Sequence, residues 1–359
     1  MNTIIERDMV DLLSRKISYE KLKGTTVLIT GASGMLAAYM VYFLMYLNKR
    51  KGYGIQVIAL VRNEKKAWEK FGEFRDDKYF SLKVQDVSEK LNITIKADYI
   101  VHAAGNASPY FIVNDPVGII NANISGTINV LEYAKAVQPK NVLYTSTREV
   151  YGKMPPDVQE ISEGVFGALD PLEFRACYPE SKRMAETILN SYLYQYKIPF
   201  NTARIAHSYG PGMKLDNDGR VMADFVSDIV NNRNIVLKSA GDAERAFCYI
   251  TDAVAGMFTV LLEGSVGEAY NIANESETMP IREVANLLIS LYPEKKLEVE
   301  FDIPQKMSIG YSKMGRVQLS TRKLEKLGWK CEVNLENGLR YTVDSFDAHK
   351  IQNNWIGEK

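Results

Sequence analysis

Apolar residues along this chain follow two rhythms. Short runs rich in apolar and β-branched residues read as strands: Thr25 to Thr30, buried, then Gln56 to Val61, Phe80 to Val84, Ala97 to His102, Asn141 to Ser146 and Pro199 to Ile205. Between them lie stretches with apolar positions at helical spacing. One is a preface over residues 1–20, carrying Ile4, Ile5, Met9, Leu12 and Leu13; another covers Pro116 to Val137. Strands alternating with helices predict a parallel sheet. The expected fold class is therefore α/β, a Rossmann-type doubly wound parallel sheet.

From residue 207 the pattern loosens. Met213 to Gly219 reads as loop, Arg220 to Asn231 as helix, Ile235 to Lys238 as a short strand and Gly241 to Phe247 as a turn. Thr251 to Glu263 is a helix expected to pack back on the sheet. Ala269 to Ala273 is a strand, and helices follow over Ile281 to Tyr292, Leu319 to Gly328 and Leu335 to Phe346. The expected division is a preface and a larger sheet domain over 1–206, then a smaller mixed α/β lobe over 207–359. That lobe would cover the C-terminal edge of the sheet as a substrate-binding cover.

Composition narrows the possibilities. Formal net charge is zero, which leaves no electrostatic reason to expect nucleic acid or an anionic membrane as partner. The most apolar run, Met35 to Leu47, is shorter than the roughly 20 residues a membrane span needs. Cys177, Cys248 and Cys331 are odd in number and far apart in sequence, with no disulfide framework or metal-ligand spacing. A reducing cytoplasm fits them, and no metal is expected.

The first strand runs into Gly31-Ala32-Ser33-Gly34-Met35-Leu36-Ala37, a tight turn into a helix. Strand, glycine turn and helix in that order form the context of a dinucleotide-binding fingerprint. Gly31 and Gly34 let the backbone approach a pyrophosphate, and the helix start through Ser33, Met35 and Leu36 faces the phosphates. At the end of the second strand the usual acid for a ribose 2′-hydroxyl is missing, and Arg62 stands there instead. Arg62 suits a 2′-phosphate or is an exposed loop residue, so NAD and NADP both remain open. Asp86 and Val87 follow the third strand, where Asp86 can meet an adenine amino group. Ala103, Ala104 and Gly105 form a small-residue loop at the end of the fourth, where doubly wound folds bind ligands. His102 reads as a packed strand-end histidine.

The chemistry centres on Tyr178 and Lys182. Four residues apart on a helix, they share one face. A nearby ammonium is expected to lower the phenol pKa, letting Tyr178 take a proton while a cofactor takes a hydride. The fifth strand ends in the polar run Ser146-Thr147-Arg148-Glu149, and a long Pro- and Gly-punctuated loop over 153–177 leads into the Tyr178 helix.

Together these motifs resemble the extended short-chain dehydrogenase/reductases that modify nucleotide sugars, the NAD-dependent epimerase/dehydratase family. The resemblance rests on Thr30-Gly31-Ala32-Ser33-Gly34, Asn123 with Gly126-Thr127, Ser146-Thr147, Tyr178 with Lys182, and Tyr209-Gly210-Pro211. Two branches are most similar. UDP-glucuronate decarboxylases share Ala107-Ser108-Pro109, Arg175-Ala176-Cys177-Tyr178, Asp218-Gly219-Arg220-Val221 and Arg245-Ala246-Phe247; dTDP-glucose 4,6-dehydratases share Glu149-Val150-Tyr151-Gly152.

The resemblance implies an NAD(P) cofactor, a nucleotide-diphosphate sugar substrate and a homodimer paired through the Tyr178 helix and the helix near 116–137. It implies that Tyr178 drives oxidation at sugar C4, that Lys182 tunes it and holds the nicotinamide ribose, that Thr147 bonds the C4 oxygen and that Glu149 handles the C5 proton. It places Ser108, Arg175, His207, Arg220 and Arg245 around the substrate, with Arg220 and Arg245 toward its nucleotide or diphosphate. Two departures stand out. Arg148 occupies the position of an Asp that protonates the departing C6 hydroxyl in dehydratases, a task no arginine performs; it leaves decarboxylation unharmed and can orient a C6 carboxylate. His207 replaces an Asn near the substrate phosphates. The expected function is C4 oxidation followed by decarboxylation or dehydration. A nucleotide-sugar 4-epimerase and a non-catalytic NAD(P)-binding protein are the alternatives.

Overall fold

The computed structural model describes residues 2–216, 218–304 and 317–356. Of the expected 213–219 loop, position 217 lies outside the described residues, as do several positions of the C-terminal lobe. The first half runs α1 (Thr3–Ser14), β1 (Thr26–Thr30), α2 (Met35–Lys51), β2 (Gln56–Val61), α3 (Glu64–Phe71), β3 (Phe80–Val84), β4 (Tyr99–His102), α4 (Pro109–Asn114), α5 (Pro116–Asn123), α6 (Ser125–Val137) and β5 (Asn141–Thr147). Then come β6 (Glu160–Ile161), α7 (Cys177–Tyr196), β7 (Phe200–Ile205), β8 (Ser208–Tyr209), α8 (Val221–Val230), β9 (Ile235–Leu237), β10 (Glu244–Ala246) and β11 (Cys248–Tyr249). The chain continues through α9 (Ile250–Glu263), β12 (Ala269–Ile272), β13 (Thr278–Pro280), α10 (Ile281–Ser290), β14 (Val299–Phe301), β15 (Gln318–Leu319), α11 (Arg322–Glu325) and α12 (Leu335–Ile356).

Seven strands form one sheet in the order β12-β7-β5-β4-β1-β2-β3, every pair parallel. This is the doubly wound sheet the apolar runs predict. Strand residues alternate between two cores, as the two-residue period of a strand requires. Val27 and Ile29 face one cluster with α2 and α9; Leu28 faces the other with Val130 and Leu131 of α6 and Ala185 and Leu189 of α7. Helix α2 is buried from Ala37 through Leu47, which explains its nearly continuous apolar sequence. Its last turn carries Lys49, Arg50 and Lys51, matched to the negative end of the helix dipole.

Several expected boundaries move. The preface ends at Ser14 and gives way to a short 3-10 turn over Tyr19–Leu22. The helix expected over 116–137 breaks at Ile124 into α5 and α6. The turn expected over 241–247 holds a strand, β10, which pairs with β13. The helix expected over 319–328 is a strand residue followed by the single turn α11, because Leu319 pairs with Ile161. That last pairing ties the long 153–177 loop to the C-terminal half. These short strands are made by partners far away in sequence, which local pattern does not register. Among the described residues no helix is long and apolar enough to cross a membrane.

Candidate functional site

The site begins where β1 and β4 end. Their register sets Thr30 opposite His102, so the Gly31 turn and the Ala103-Ala104-Gly105 loop leave the sheet side by side. Gly31 has φ +64, and a Cβ there would lie 2.7 Å from Ala104 Cα. Only glycine fits that approach. Gly34 then caps α2 with no side-chain hydrogen bond, leaving first-turn N–H groups for an anion. A Cβ on Gly105 would lie 2.8 Å from Asn123 Oδ1 and 3.3 Å from Lys182 Nζ. Asn123 Oδ1 is buried without a hydrogen-bond partner, while its Nδ2 donates to Ser181 Oγ at 2.9 Å. A narrow backbone cradle ending in an unsatisfied acceptor and a buried ammonium suits a dinucleotide well.

His102 is indeed a packed histidine. Its Nδ1 lies 2.8 Å from Thr30 Oγ1 and its Nε2 3.1 Å from Thr127 Oγ1. Burial, with Lys182 adding to it, pushes its pKa down to about 3. At the rim of the cradle Arg62 and Asp86 pair at 3.6 Å. Against the effect of burial, two Ser88 hydrogen bonds and Arg62 hold the Asp86 carboxyl below its ordinary value. The Val87 side chain faces inward and is part of the core. Met35 and Leu36 lean against the core at the start of α2, beside Ser33 in the turn.

Tyr178 lies in the first turn of α7 and Lys182 one turn on, both buried. The Tyr178 side chain faces the Thr147 side chain at the end of β5, and Thr147 acts to lower its pKa. Thr147 Oγ1 accepts from Glu149 N at 3.2 Å. Lys182 Nζ donates to Thr145 O at 2.8 Å and lies 4.7 Å from the centre of the Tyr144 ring. Glu149 pairs with Arg175 at 3.4 Å.

The electrostatics of this pair differ from the expectation. Tyr178 is pushed up from its ordinary value, first by burial and then by the Glu149 charge; Thr147, Arg220 and Arg175 pull it part of the way back. Burial pushes Lys182 down to about 7, with Glu186 opposing. Both side chains lose more to desolvation than they gain from sharing a helix face.

The candidate substrate residues gather around the same edge. Ser108 Oγ donates to Asp218 O at 2.5 Å, joining the start of α4 to the loop before α8. Arg220, at the N-cap of α8, pairs with Asp218, Nη2 to Oδ2 at 3.0 Å. Arg245, on β10, donates to the carbonyl of Glu244 at 2.7 Å. His207 follows β7 and lies 3.2 Å from Arg148 through Nε2 and Nη1. Burial, then Arg148, then Arg245 push His207 down to about 3. Among the described residues no cluster of His, Cys, Asp and Glu could hold a metal ion.

One part of the site went unread in the sequence. Behind Tyr178, Glu186 binds Arg204 of β7 at 2.6 Å and accepts from Ser146 Oγ at 2.6 Å. Arg204 Nη1 also donates to the Tyr151 hydroxyl at 3.0 Å, which donates in turn to Asn271 Oδ1 of β12 at 2.5 Å. This network braces β5, α7, β7 and β12 against one another. Glu186 is one turn beyond Lys182 on the same face, a usable signal, but nothing local points to Arg204 as its partner.

A model of the NAD dependent epimerase/dehydratase family matches residues 27–273. UDP-glucuronic acid decarboxylase 6 of Arabidopsis thaliana is 32% identical over 320 residues, covering 89% of this chain and 88% of the relative. UDP-glucuronic acid decarboxylase 1 of Danio rerio is 31% identical over 338 residues, covering 92% and 75%. Solved structures of the same fold include UDP-glucose 4-epimerase from Thermotoga maritima with UDP-glucose: TM-score 0.76, 22% identity, 90% of this chain and 99% of that one. Another is dTDP-glucose 4,6-dehydratase from Bacillus anthracis in complex with NAD: TM-score 0.75, 20% identity, 91% and 98%.

Proposed function

Because the chain belongs to the NAD dependent epimerase/dehydratase family, we propose that it is an NAD-dependent lyase that oxidises a nucleotide sugar at C4 and then decarboxylates it, with UDP-glucuronate as substrate. The observation that carries this reading is the end of β5. Thr147 stands beside Tyr178, Glu149 is close by in a pair with Arg175, and Arg148 stands where an acid able to protonate a C6 hydroxyl would be needed. Loss of water needs such an acid; loss of CO2 does not. The decarboxylase relatives support the same choice.

The cradle at Gly31 and Gly105, with Asn123 and Lys182 at its inner end, would hold NAD, whose nicotinamide supplies the hydride acceptor and later returns the hydride. Arg62 is paired with Asp86, which favours a free ribose over a 2′-phosphate. Tyr178 accepts the C4 hydroxyl proton. Thr147 holds the C4 oxygen. The resulting ketone takes up the electron pair of the breaking C5–C6 bond as CO2 leaves. Glu149, adjacent to both groups, serves the C5 proton. Arg220 and Arg245 face the nucleotide or diphosphate, which guanidinium groups match well.

Exposed Val117, Ile128 and Met184 on α5, α6 and α7 support pairing of two copies through those helices. Three free thiols support a reducing cytoplasm. The test is to incubate the NAD-loaded protein with UDP-glucuronate, dTDP-glucose and UDP-glucose and analyse the products by mass spectrometry. Release of CO2 with a UDP-pentose is expected. Loss of water from dTDP-glucose would make it a dehydratase, inversion at C4 alone an epimerase, and no turnover a non-catalytic binding protein.

A further inference from the structure

We infer that Arg148 and His207 together select a carboxylate at sugar C6: Arg148 binds it, and His207 is the positioning residue that holds the guanidinium in place. The inference rests on the C4-oxidising nucleotide-sugar reading above and goes beyond it by assigning the uronate specificity to a named pair.

The topology brings the two together. β5 and β7 are neighbours, and Thr147 is in register with Ile205, so the residues that follow emerge side by side at the C-terminal edge of the sheet. Arg148 Nη1 then lies 3.2 Å from His207 Nε2. A guanidinium only donates, so the imidazole nitrogen must accept. That fixes His207 as neutral, with its proton on Nδ1. Burial and the charges of Arg148 and Arg245 all act in the same direction.

His207 is held for this contact at some conformational cost. Its φ is +42, in the left-handed region that side chains rarely adopt. Its carbonyl accepts from Cys248 N at 3.2 Å, and its ring packs on Phe247 with centroids 6.0 Å apart. Backbone strain of this kind persists where surrounding structure over-determines it, and it gathers at functional sites.

Glu149 orients Arg175 and Asp218 orients Arg220, while His207 contacts Arg148 through a neutral ring. A guanidinium steered in this way is well suited to a bidentate bond with an incoming carboxylate. Its location fits C6. Arg148 is the residue after Thr147, which faces Tyr178 where the proposed C4 chemistry takes place, and C6 hangs from C5 next to C4.

The test compares two ligands on the NAD-loaded protein: UDP-glucuronate, and UDP-xylose, which is the same nucleotide sugar without C6. Arg148→Met is expected to weaken UDP-glucuronate binding at least about tenfold and to leave UDP-xylose binding within about twofold. His207→Ala should raise the KM for UDP-glucuronate several-fold with a smaller effect on kcat, and His207→Gln, which restores an acceptor, should recover most of it. Thermal melts of each variant separate selectivity from misfolding, and Arg148→Lys supplies a charged variant if Arg148→Met does not fold. Equal weakening for both ligands, or none, overturns the selector while leaving the decarboxylase reading intact. Failure of the unmodified protein to bind either UDP-sugar overturns both.

Discussion

Glu149 and Arg175 form an ion pair at 3.4 Å beside the Tyr178 hydroxyl, and the Glu149 charge is the second largest influence raising the Tyr178 pKa. Glu149→Gln removes that charge. The ascending limb of C4 oxidation, where Tyr178 ionises, followed in single-turnover experiments across pH, is then expected to shift to lower pH. The full decarboxylation should fall by about 10²–10⁴-fold if Glu149 handles the C5 proton. Full turnover in Glu149→Gln would instead favour simple epimerisation.

Lys182, whatever it contributes to the proposed chemistry, is destabilising for the fold. Its ammonium is buried, bonded to one carbonyl, and its pKa falls from 10.5 to about 7. Between those two values the unfolded chain binds the extra proton, so stability rises with pH across that window. At pH 7 and below the whole cost of burying the charge is present. Lys182→Met should therefore melt at a higher temperature than the unmodified protein at pH 6.5 without NAD, and the gain should fade as pH approaches 10. The same variant should lose activity by about 10³-fold or more. A lower melting temperature at pH 6.5 would show that Lys182 contributes packing that methionine does not replace.

Much of the sheet and the cradle is legible in sequence because both are local. Gln56–Val61 and Phe80–Val84 form strands over the residues their apolar runs mark, and the Gly31 turn follows a strand and opens a helix as its spacing requires. In the C-terminal half Ile235–Leu237 falls where its apolar run marks a strand, but β10 and β15 are not legible, since each is made by a partner distant in the chain. The site divides along the same line. Tyr178 and Lys182 share one helix and can be read together, whereas the Arg148–His207 and Glu186–Arg204 contacts each join neighbouring strands or a helix to a strand. Burial is the other invisible quantity. Helical spacing brings Lys182 close to Tyr178, but only the packed structure shows that desolvation dominates both.

Gly31 offers a backbone test of the cradle. An alanine there would put a methyl group 2.7 Å from Ala104 Cα at a positive φ. The neighbour is backbone and cannot swing aside. Gly31→Ala is expected to lose NAD binding by calorimetry and to lower the melting temperature, from the combined clash and left-handed strain of about 1–2 kcal/mol or more. Gly105→Ala should likewise weaken NAD, because the added methyl would meet Asn123 Oδ1 and Lys182 Nζ at the inner end of the cradle.

The preface helix carries a final prediction. Asp8 is fully buried between α1, α2 and β11, where its Oδ2 accepts from the Tyr39 and Tyr249 hydroxyls, each at 2.9 Å, and Oδ1 accepts from Arg7 at 2.8 Å. Burial outweighs these bonds and raises its pKa from 3.8 to about 7. The folded state thus keeps a proton that the unfolded chain has lost. This contribution to stability is fully present below about pH 4 and is lost as pH rises to about 7, a change of roughly 4 kcal/mol. Asp8→Asn cannot titrate and has no such slope. Urea unfolding of both proteins at pH 5 and pH 8 should show the unmodified protein ahead by a wider margin at pH 5, with the gap closing at pH 8. A gap that stays constant would mean that the two tyrosines and Arg7 hold Asp8 ionised throughout, and that the preface helix is docked by a permanent buried charge.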